Sequence, residues 1–475
     1  MRYAHGMSTE STDGARADVL PGLANWALQL AQGHCTVPAL LERASERIAR
    51  LNSRWRAISH RVGDDALAAE ASARQAEASR GQPRGPLHGV LFTVKGNIPV
   101  AGLPWTEGSA LFAGRRATHD AAVVARARAA GALVVGSTTL SELAMYGVTN
   151  PFEPMGLNPW AAERTAGGSS TGAGVAAALG FAQVHLGTDS GGSVRNPACH
   201  CGVVGFMPGI GGLSLAGKAN YTPSLTSVGL MASSADDVRI AWQALREAGY
   251  QPIAPPDVPS GARRLLVPRV LVETMCDEAT RALFAAACER LSRTGFDLID
   301  ADIPGWLEGE RAAGILSLAE SGAALATMDL SRASEGLRAR AAAAGALATG
   351  VVEHARAAAA RLGEGLAAGL ARAGASAVIT PTWPFAAPLI EAVEVDIGGR
   401  RVPVDPHRNC FVRAANAVDA CALTLPMGLY PDAGVPAGLH LMAPRGHEDR
   451  LLALAVAVET CLPRLPAAPP LRPAA

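Results

Sequence analysis

Short apolar runs alternate with helical stretches between residue 91 and about residue 190, and this alternation limits the fold more than any other feature. The apolar run LFTV ends at Lys95, and AAVVARARAAG, ALVVGS, VAAALG and AQVHLGT follow as alternating helix-like and strand-like segments. Apolar runs flanked by helices are typical of strands covered on both faces. The pattern predicts an α/β fold with a mixed, mostly parallel central β-sheet covered by helices on both faces.

The rest of the chain extends this pattern, with one departure. Residues 20 to 79 have helical character, and strand-like runs return in RRLLVPRVL, FDLIDADI, SAVITPTWP, ACALTLPMG and AGLHLMAP. The pattern predicts alanine-rich helices without strands at residues 305 to 375. We expect these helices to cover the cleft in which the protein binds its ligand. Because no internal repeat or long linker interrupts the chain, we predict one large domain over residues 20–462 that contains this insertion. Residues 1–19 are expected to be disordered or frayed, and residues 463–475 to form a tail.

The charge balance argues against several classes of partner. Lys and Arg together number 42, as do Asp and Glu, so nothing favours binding to nucleic acid. No apolar run is long enough for a transmembrane helix, and the N-terminus lacks the apolar core of a signal peptide. We therefore expect a cytoplasmic protein that does not contact membranes.

The eight cysteines are dispersed, and the CHC sequence at residues 199–201 lacks the paired spacing of a zinc site. We interpret them as reduced thiols, most of them buried. We expect neither a metal nor an organic cofactor.

Two glycines precede a serine in GTDSGGSVRNP, where Gly191 and Gly192 lead to Ser193. Residues without a Cβ let consecutive backbone N–H groups approach one point, as a developing oxyanion requires. Ser193 is then a candidate nucleophile. The simpler interpretation is a tight strand-to-helix turn that carries a solvated serine.

Two further stretches pair a reactive side chain with glycines. In RTAGGSSTGAG, the hydroxyl residues Ser169 and Ser170 precede a helix. The stretch lacks the spacing of a phosphate-binding loop, so the two hydroxyls are either reactive groups or a simple helix cap. In TVKGN, Lys95 follows an apolar strand, and burial there would favour its neutral amine. The alternative for Lys95 is an ordinary surface lysine at a strand end.

Taken together, these stretches resemble the amidase signature family. GGSST is followed 24 residues after Ser169 by Ser193 in GTDSGGSVRNPACHCGVVG, and Lys95 lies 74 residues before Ser169 in GPLHGVLFTVKGNIPVAGLP. Other segments are similar to the family in the same order, including GSALFAGRRATHDAAVVARARAAGALVVGSTTLSELAM and GVPAGLHLMAPRGHEDRLLALA. The resemblance covers roughly residues 20 to 460 and is weakest at 305 to 375.

The resemblance implies a serine amidohydrolase with no cofactor. It makes Ser193 the nucleophile, Ser169 a bridging serine that follows a cis peptide bond, and Lys95 the terminal base. It assigns the oxyanion hole to four backbone N–H groups, those of Ser190, Gly191, Gly192 and Ser193. The expected substrate is a small soluble amide, and a homodimer is left open.

Three residues have supporting roles with alternatives. Asp189 and Arg195 flank the nucleophile loop, so an ion pair between them would hold its shape, unless the two charges are separately solvated or Arg195 meets an acidic substrate. Ser170 either hydrogen-bonds within the site or caps the following helix. The family usually has an aspartate where this chain has Gly96, and a lysine where it has Met207, so the resemblance implies no particular substrate range.

The resemblance places three aromatic residues near segments that line the cleft in the family, so we expect Trp105, Tyr146 and Trp383 to be candidate substrate contacts. A lone aromatic is more often part of the core.

Three other functions compete with the amidohydrolase. One is the amidase subunit of a multisubunit amidotransferase, and another is a non-catalytic homologue that binds ligand. The third is a Ser-His-Asp hydrolase using His185 or His200, which lie near Ser193 in the sequence. We interpret both histidines as structural.

Overall fold

A computed structural model of the chain describes residues 20–145, 147, 149–250 and 263–471. Its helices are α1 (Leu23–Ala31), α2 (Val37–Trp55), α3 (Asp64–Ser79), α4 (Ala122–Ala129), α5 (Thr171–Ala178), α6 (Arg195–Cys201), α7 (Ala235–Leu245), α8 (Arg269–Met275), α9 (Glu278–Arg293), α10 (Trp306–Leu325), α11 (Glu335–Gly345), α12 (Val351–Ala373), α13 (Val404–His407), α14 (Arg413–Ala417) and α15 (Glu448–Glu459). Its strands are β1 (Ile58–Arg61), β2 (Leu91–Lys95), β3 (Leu133–Thr138), β4 (Val184–Asp189), β5 (Val204–Met207), β6 (Ser227–Ala232), β7 (Arg264–Val267), β8 (Asp297–Asp300), β9 (Ala377–Pro381), β10 (Glu394–Ile397), β11 (Arg400–Pro403), β12 (Cys421–Leu429) and β13 (Pro436–Ala443).

Within the described residues, eleven strands form one sheet in the order β1-β3-β2-β4-β6-β5-β12-β13-β9-β7-β8. Parallel pairing occupies two blocks, β3-β2-β4 and β9-β7-β8. The pairs between these blocks are antiparallel, as is the pair of β1 with β3. Strands β2, β3 and β4 are buried throughout and helices pack against them, which confirms a single α/β domain with a mixed, helix-covered sheet.

More of the neighbouring strands in the sheet are antiparallel than the alternation of strands and helices in the sequence predicts. One of these antiparallel pairs has a local cause, because β12 and β13 are joined directly as a hairpin without a crossover helix. Strands β5 and β6, which the sequence pattern did not distinguish, fill the sheet between β4 and β12.

Over residues 20 to 79 the helices agree with the sequence pattern except at one point, whereas α8 begins within RRLLVPRVL, which the pattern indicated as a strand. Helices α1, α2 and α3 occupy the predicted helical region, but the short strand β1 separates α2 from α3 and pairs with β3 at the sheet edge. A strand of four residues is too short to show a period of its own. The alanine-rich region forms α10, α11 and α12, as predicted.

The predicted N-terminal segment at residues 1–19 lies outside the described residues, and the domain boundaries stay predictions. Ala468 in the predicted tail is buried. None of the described helices combines the length and the apolar composition needed to cross a membrane.

The parallel strands β2 and β4 bring the site together. Val94 on β2 is in register with Leu186 on β4, so the carboxyl ends of both strands lie at the same edge of the sheet. Lys95 ends β2 and Asp189 ends β4, each followed by a loop. Side chains from two distant parts of the sequence therefore meet at this edge.

Candidate active site

Lys95 is the centre of the site and is fully buried at the end of β2. Its Nζ lies 2.7 Å from Ser169 Oγ and donates to Thr188 Oγ1 at 2.8 Å and to the Thr188 carbonyl oxygen at 3.3 Å. In the described part of the chain, no carboxylate forms an ion pair with it. The alternative of a surface lysine is therefore wrong.

Burial lowers the pKa of Lys95 well below its usual value, because removal from water disfavours the charged ammonium. The positive charge of Lys218 lowers this pKa further, whereas Asp189 and Glu107 partly oppose the shift. A neutral amine beside a serine hydroxyl is able to accept its proton. Lys95 thus has both the position and the electrostatics of a general base.

The serine pair lies just before α5 and is tied to β4. A cis peptide bond joins Gly168 to Ser169, as the resemblance implied. Ser170 donates its hydroxyl to the Thr188 carbonyl oxygen at 3.2 Å and its backbone N–H to the Ser193 carbonyl oxygen at 3.1 Å, and its side chain does not cap the helix. Ser170 therefore makes hydrogen bonds within the site, one of its two predicted roles.

Ser193 lies in the turn between β4 and α6, and it lines the same cavity as Ser169. Gly192 has a φ of 106°, and an added Cβ would lie 2.6 Å from Val412 Cγ2. An added Cβ at Gly191 would approach Arg413 no closer than 3.5 Å. The second glycine of the pair is thus required by conformation and space, and the first is not.

The four predicted oxyanion-hole amides are not equivalent. The Gly192 N–H donates to Asp189 Oδ1 at 2.7 Å, so the prediction that it faces the oxyanion is wrong. The N–H groups of Ser190, Gly191 and Ser193 have no hydrogen-bond partner among the described residues. These three remain available to an oxyanion.

The Asp189 and Arg195 pair holds this turn from behind. Both side chains are fully buried, with Arg195 Nη2 at 2.9 Å from Asp189 Oδ1 and Nε at 3.1 Å from Oδ2. Burial alone would raise the pKa of Asp189, but the guanidinium charge and the hydrogen bonds to the carboxylate hold it well below its usual value. The predicted ion pair is present, and separate solvation is wrong.

Arg195 is also engaged on its other sides. It donates to the Val412 carbonyl oxygen, to Asn416 Oδ1 and to Met207 Sδ, at 2.7, 2.7 and 3.4 Å. Because the guanidinium is inaccessible, the alternative that Arg195 meets an acidic substrate is wrong. Met207 stands beside this guanidinium where the family usually has a lysine.

A cavity of about 350 Å³ opens in front of the two serines. Its wall includes Gly314, Ser317 and Leu318 of α10 and Arg340 of α11, so the helical insertion does cover the cleft.

Trp383 lines the cavity and donates its Nε1 to Asn196 Oδ1 at 2.7 Å. Trp105 does not line it. Its ring stacks instead under the Arg115 guanidinium at 3.9 Å, so a substrate contact is wrong for this residue. Tyr146 lies outside the described residues.

Sequence reasoning missed many polar residues of the cavity, among them Asn97, Thr188 and Lys218. Asn97 donates to Thr188 Oγ1 at 3.2 Å, so both belong to the network around the buried amine. One signal was present for Lys218, since the chain has 40 arginines and only two lysines, 95 and 218. Both lysines line or adjoin the same cavity.

Neither candidate histidine makes a hydrogen bond with Ser193. His185 contacts Thr93 Oγ1 at 2.7 Å and the Ala182 carbonyl oxygen at 3.2 Å. The His200 ring packs edge-on against Trp383, with centroids 4.1 Å apart. Burial lowers the pKa of both histidines to about 3, which keeps them neutral.

Comparisons with known proteins agree with this geometry. The family model described as Amidase matches residues 39–452. The A subunit of glutamyl-tRNA(Gln) amidotransferase from Anaeromyxobacter sp. (strain K) is 35% identical over 284 residues, which cover 56% of this chain and 57% of that relative's length.

Solved structures cover more of the chain. A crystal structure of an amidase superimposes with a TM-score of 0.85 at 29% identity and covers 93% of this chain and 100% of that one. The peptide amidase from Stenotrophomonas maltophilia superimposes with a TM-score of 0.77 at 27% identity, covering 94% of this chain and 98% of that one. The chain therefore belongs to the amidase signature family, whose fold it has and whose enzymes act on carbon–nitrogen bonds.

Proposed function

We propose that the protein hydrolyses a C–N amide bond of a small molecule through an acyl-enzyme formed on Ser193. The observation that carries this proposal is the buried Lys95 amine at 2.7 Å from Ser169 Oγ, beside the cavity that Ser193 lines. A buried amine that pairs with a hydroxyl rather than a carboxylate is poised to accept a proton.

In the first half of the reaction, Ser193 Oγ attacks the amide carbonyl carbon. Its proton passes to Ser169 Oγ, while the Ser169 proton passes to the Lys95 amine. The N–H groups of Ser190, Gly191 and Ser193 stabilise the negative oxygen of the tetrahedral intermediate.

The intermediate collapses when the C–N bond breaks and Ser169 returns a proton to the leaving nitrogen. Ammonia or an amine departs, and the acyl group stays on Ser193. Water then attacks the ester by the same proton relay, which releases a carboxylic acid and restores the serine.

Labelling with a fluorophosphonate, followed by mass spectrometry of the peptides, tests this proposal. We expect label on Ser193 in the native chain and none in Lys95→Ala. His185→Asn is the matched control, since it also replaces a buried titratable residue on a neighbouring strand, and it should still label. Loss of labelling in His185→Asn together with its persistence in Lys95→Ala would refute the lysine mechanism.

A second candidate is the amidase component of a multisubunit amidotransferase, which would release ammonia from glutamine for a partner chain. The similarity to a chain of glutamyl-tRNA(Gln) amidotransferase favours it. The equal numbers of acidic and basic residues do not favour RNA binding. Glutaminase activity that appears only with a co-purifying partner would support this candidate over the free amidase.

A further inference from the structure

The cavity in front of the two serines has a basic wall. Lys218, Arg340, Arg408 and Arg413 line it, and Asp405 is the one acidic side chain among the described residues that do so. An excess of positive charge in a partly enclosed site raises the local concentration of anions.

Protein carboxylates neutralise two of these cations. Arg408 Nε lies 2.6 Å from Asp405 Oδ1, and Arg413 Nη1 lies 2.9 Å from Glu310 Oε1. Their charges are balanced within the protein, so they contribute shape and hydrogen bonds more than net attraction.

Lys218 is different, because its ammonium forms no ion pair within the described part of the chain. Its Nζ donates to the carbonyl oxygen of its neighbour Ala219. The nearby Glu107 is bonded to Arg115 at 2.7 Å. Burial lowers the pKa of Lys218 to about 8, which still leaves it largely protonated at neutral pH. A partly buried ammonium without a counter-ion favours an anionic ligand.

Other polar atoms in the cavity wall also lack a hydrogen-bond partner among the described residues, and two of them belong to buried side chains. Ser141 Oγ and Asn97 Oδ1 are buried and make no hydrogen bond to the described residues. Buried polar groups in native proteins are nearly always paired with protein or with water, so these two atoms are available to a polar ligand that enters the cavity. A hydroxyl is able to donate to a carboxylate oxygen, and an amide oxygen is able to accept from a substrate N–H.

We propose that Lys218 binds a carboxylate of the substrate, so that the protein acts on small amides that carry an acid group. The inference rests on the proposed amide hydrolysis and names its substrate class. A cavity of about 350 Å³ that both Lys218 and Ser193 line suits a small substrate that reaches both side chains.

The test compares charged amides with neutral isosteres. Succinamate carries its carboxylate on the acyl side and is compared with methyl succinamate, while N-acetylglycine carries it on the amine side and is compared with N-acetylglycinamide. We expect kcat/KM for one charged member to exceed that for its neutral partner by about 10- to 100-fold, the effect of one hydrogen bond to a charged group.

Lys218→Met should remove this preference, and Lys218→Arg should retain part of it. The ratio of kcat/KM values between paired substrates cancels any change at Lys95, because both substrates use the same base. Arg293→Met is the matched control, since it removes one positive charge from an exposed helix position and should leave the ratio unchanged. An unchanged ratio in Lys218→Met, or equal rates for charged and neutral amides, would overturn the proposal.

Calorimetry on Ser193→Ala separates this inference from the proposed reaction. Succinate and succinamate should bind to Ser193→Ala and bind at least 10-fold more weakly, by roughly one hydrogen bond to a charge, when Lys218→Met is added. If such binding occurs while the native chain hydrolyses no amide, the anion site stands and the reaction fails. If amides are hydrolysed but both variants bind the anions equally, the anion site fails and the reaction stands.

Discussion

Removal of one charge from the buried pair of Asp189 and Arg195 should destabilise the turn that carries Ser193. The pair is inaccessible to water and is joined by two short contacts, at 2.9 and 3.1 Å. Loss of one partner leaves the other charge buried and uncompensated, which lowers the free energy of unfolding by about 3–5 kcal/mol. Arg195→Met should lose stability at the upper end of this range. Asp189→Asn should lose stability at the lower end, because the amide oxygen of the asparagine still accepts the hydrogen bond from the Gly192 N–H.

Urea unfolding followed by tryptophan fluorescence measures these losses at pH 7.5, and a double-mutant cycle isolates the pair. The double variant should lose less stability than the sum of the single variants, because it leaves no unpaired charge. Additive losses, or single losses below about 1 kcal/mol, would refute the reasoning. Fluorophosphonate labelling of Ser193 should slow in parallel, since the turn is held by the same carboxylate.

The pH dependence of this effect has a definite sign. The folded-state pKa of Asp189 is depressed, so the pair contributes its full stability above the unfolded value of about 3.9. The contribution is lost as the pH falls from there toward the folded-state value. Native protein should therefore lose stability more steeply than Asp189→Asn between about pH 5 and pH 3. Equal slopes would contradict an ionised Asp189 in the folded protein.

Three other predictions concern the same site. Gly192→Ala should abolish Ser193 labelling or folding, because the added Cβ has no room. Gly191→Ala should fold and label within about threefold of the native rate, because a substitution whose Cβ meets no close neighbour costs little stability. Thr188→Val should reduce kcat/KM about 10-fold by removing the hydroxyl that holds the buried amine, and Thr188→Ser, which keeps that hydroxyl, should retain most activity. Lys218→Met should move the acid limb of the pH profile of kcat/KM to higher pH, because loss of a neighbouring cation raises the pKa of Lys95. An acid limb that does not shift in Lys218→Met would contradict the influence of Lys218 on Lys95. Normal labelling of Gly192→Ala would contradict the lack of space at Gly192, and unchanged kcat/KM in Thr188→Val would contradict the role of the hydrogen bond to Lys95.

Local sequence signals predicted the elements whose residues carry their own pattern. The apolar run before Lys95 forms β2, and the alanine-rich region forms the three helices of the insertion. The Gly-Ser stretches predicted the two loops that line the cavity beside Lys95, because glycine is favoured where a turn needs a positive φ, as at Gly192.

Contacts between distant segments could not be predicted from local patterns. The engagement of the Gly192 amide depends on where the Asp189 carboxylate points, and the place of Trp105 depends on Arg115, which packs over its ring. The position of β5 and β6 depends on the strand order of the whole sheet. Such features arise from tertiary packing, which overrides local preference.

Because the chain has only two lysines, a reagent that reacts with primary amines can modify very few of its side chains. Apart from the α-amino group, an acylating reagent that targets primary amines finds two side chains in 475 residues, and both belong to the active-site region. Neutral amines are the reactive form, so the extent of acylation by a small reagent against pH would report on the ionisation of Lys218, the less buried of the two. Amine coupling of the folded protein to a solid support would spare this region, because Lys95 is fully buried and Lys218 lies half-buried in the cavity wall.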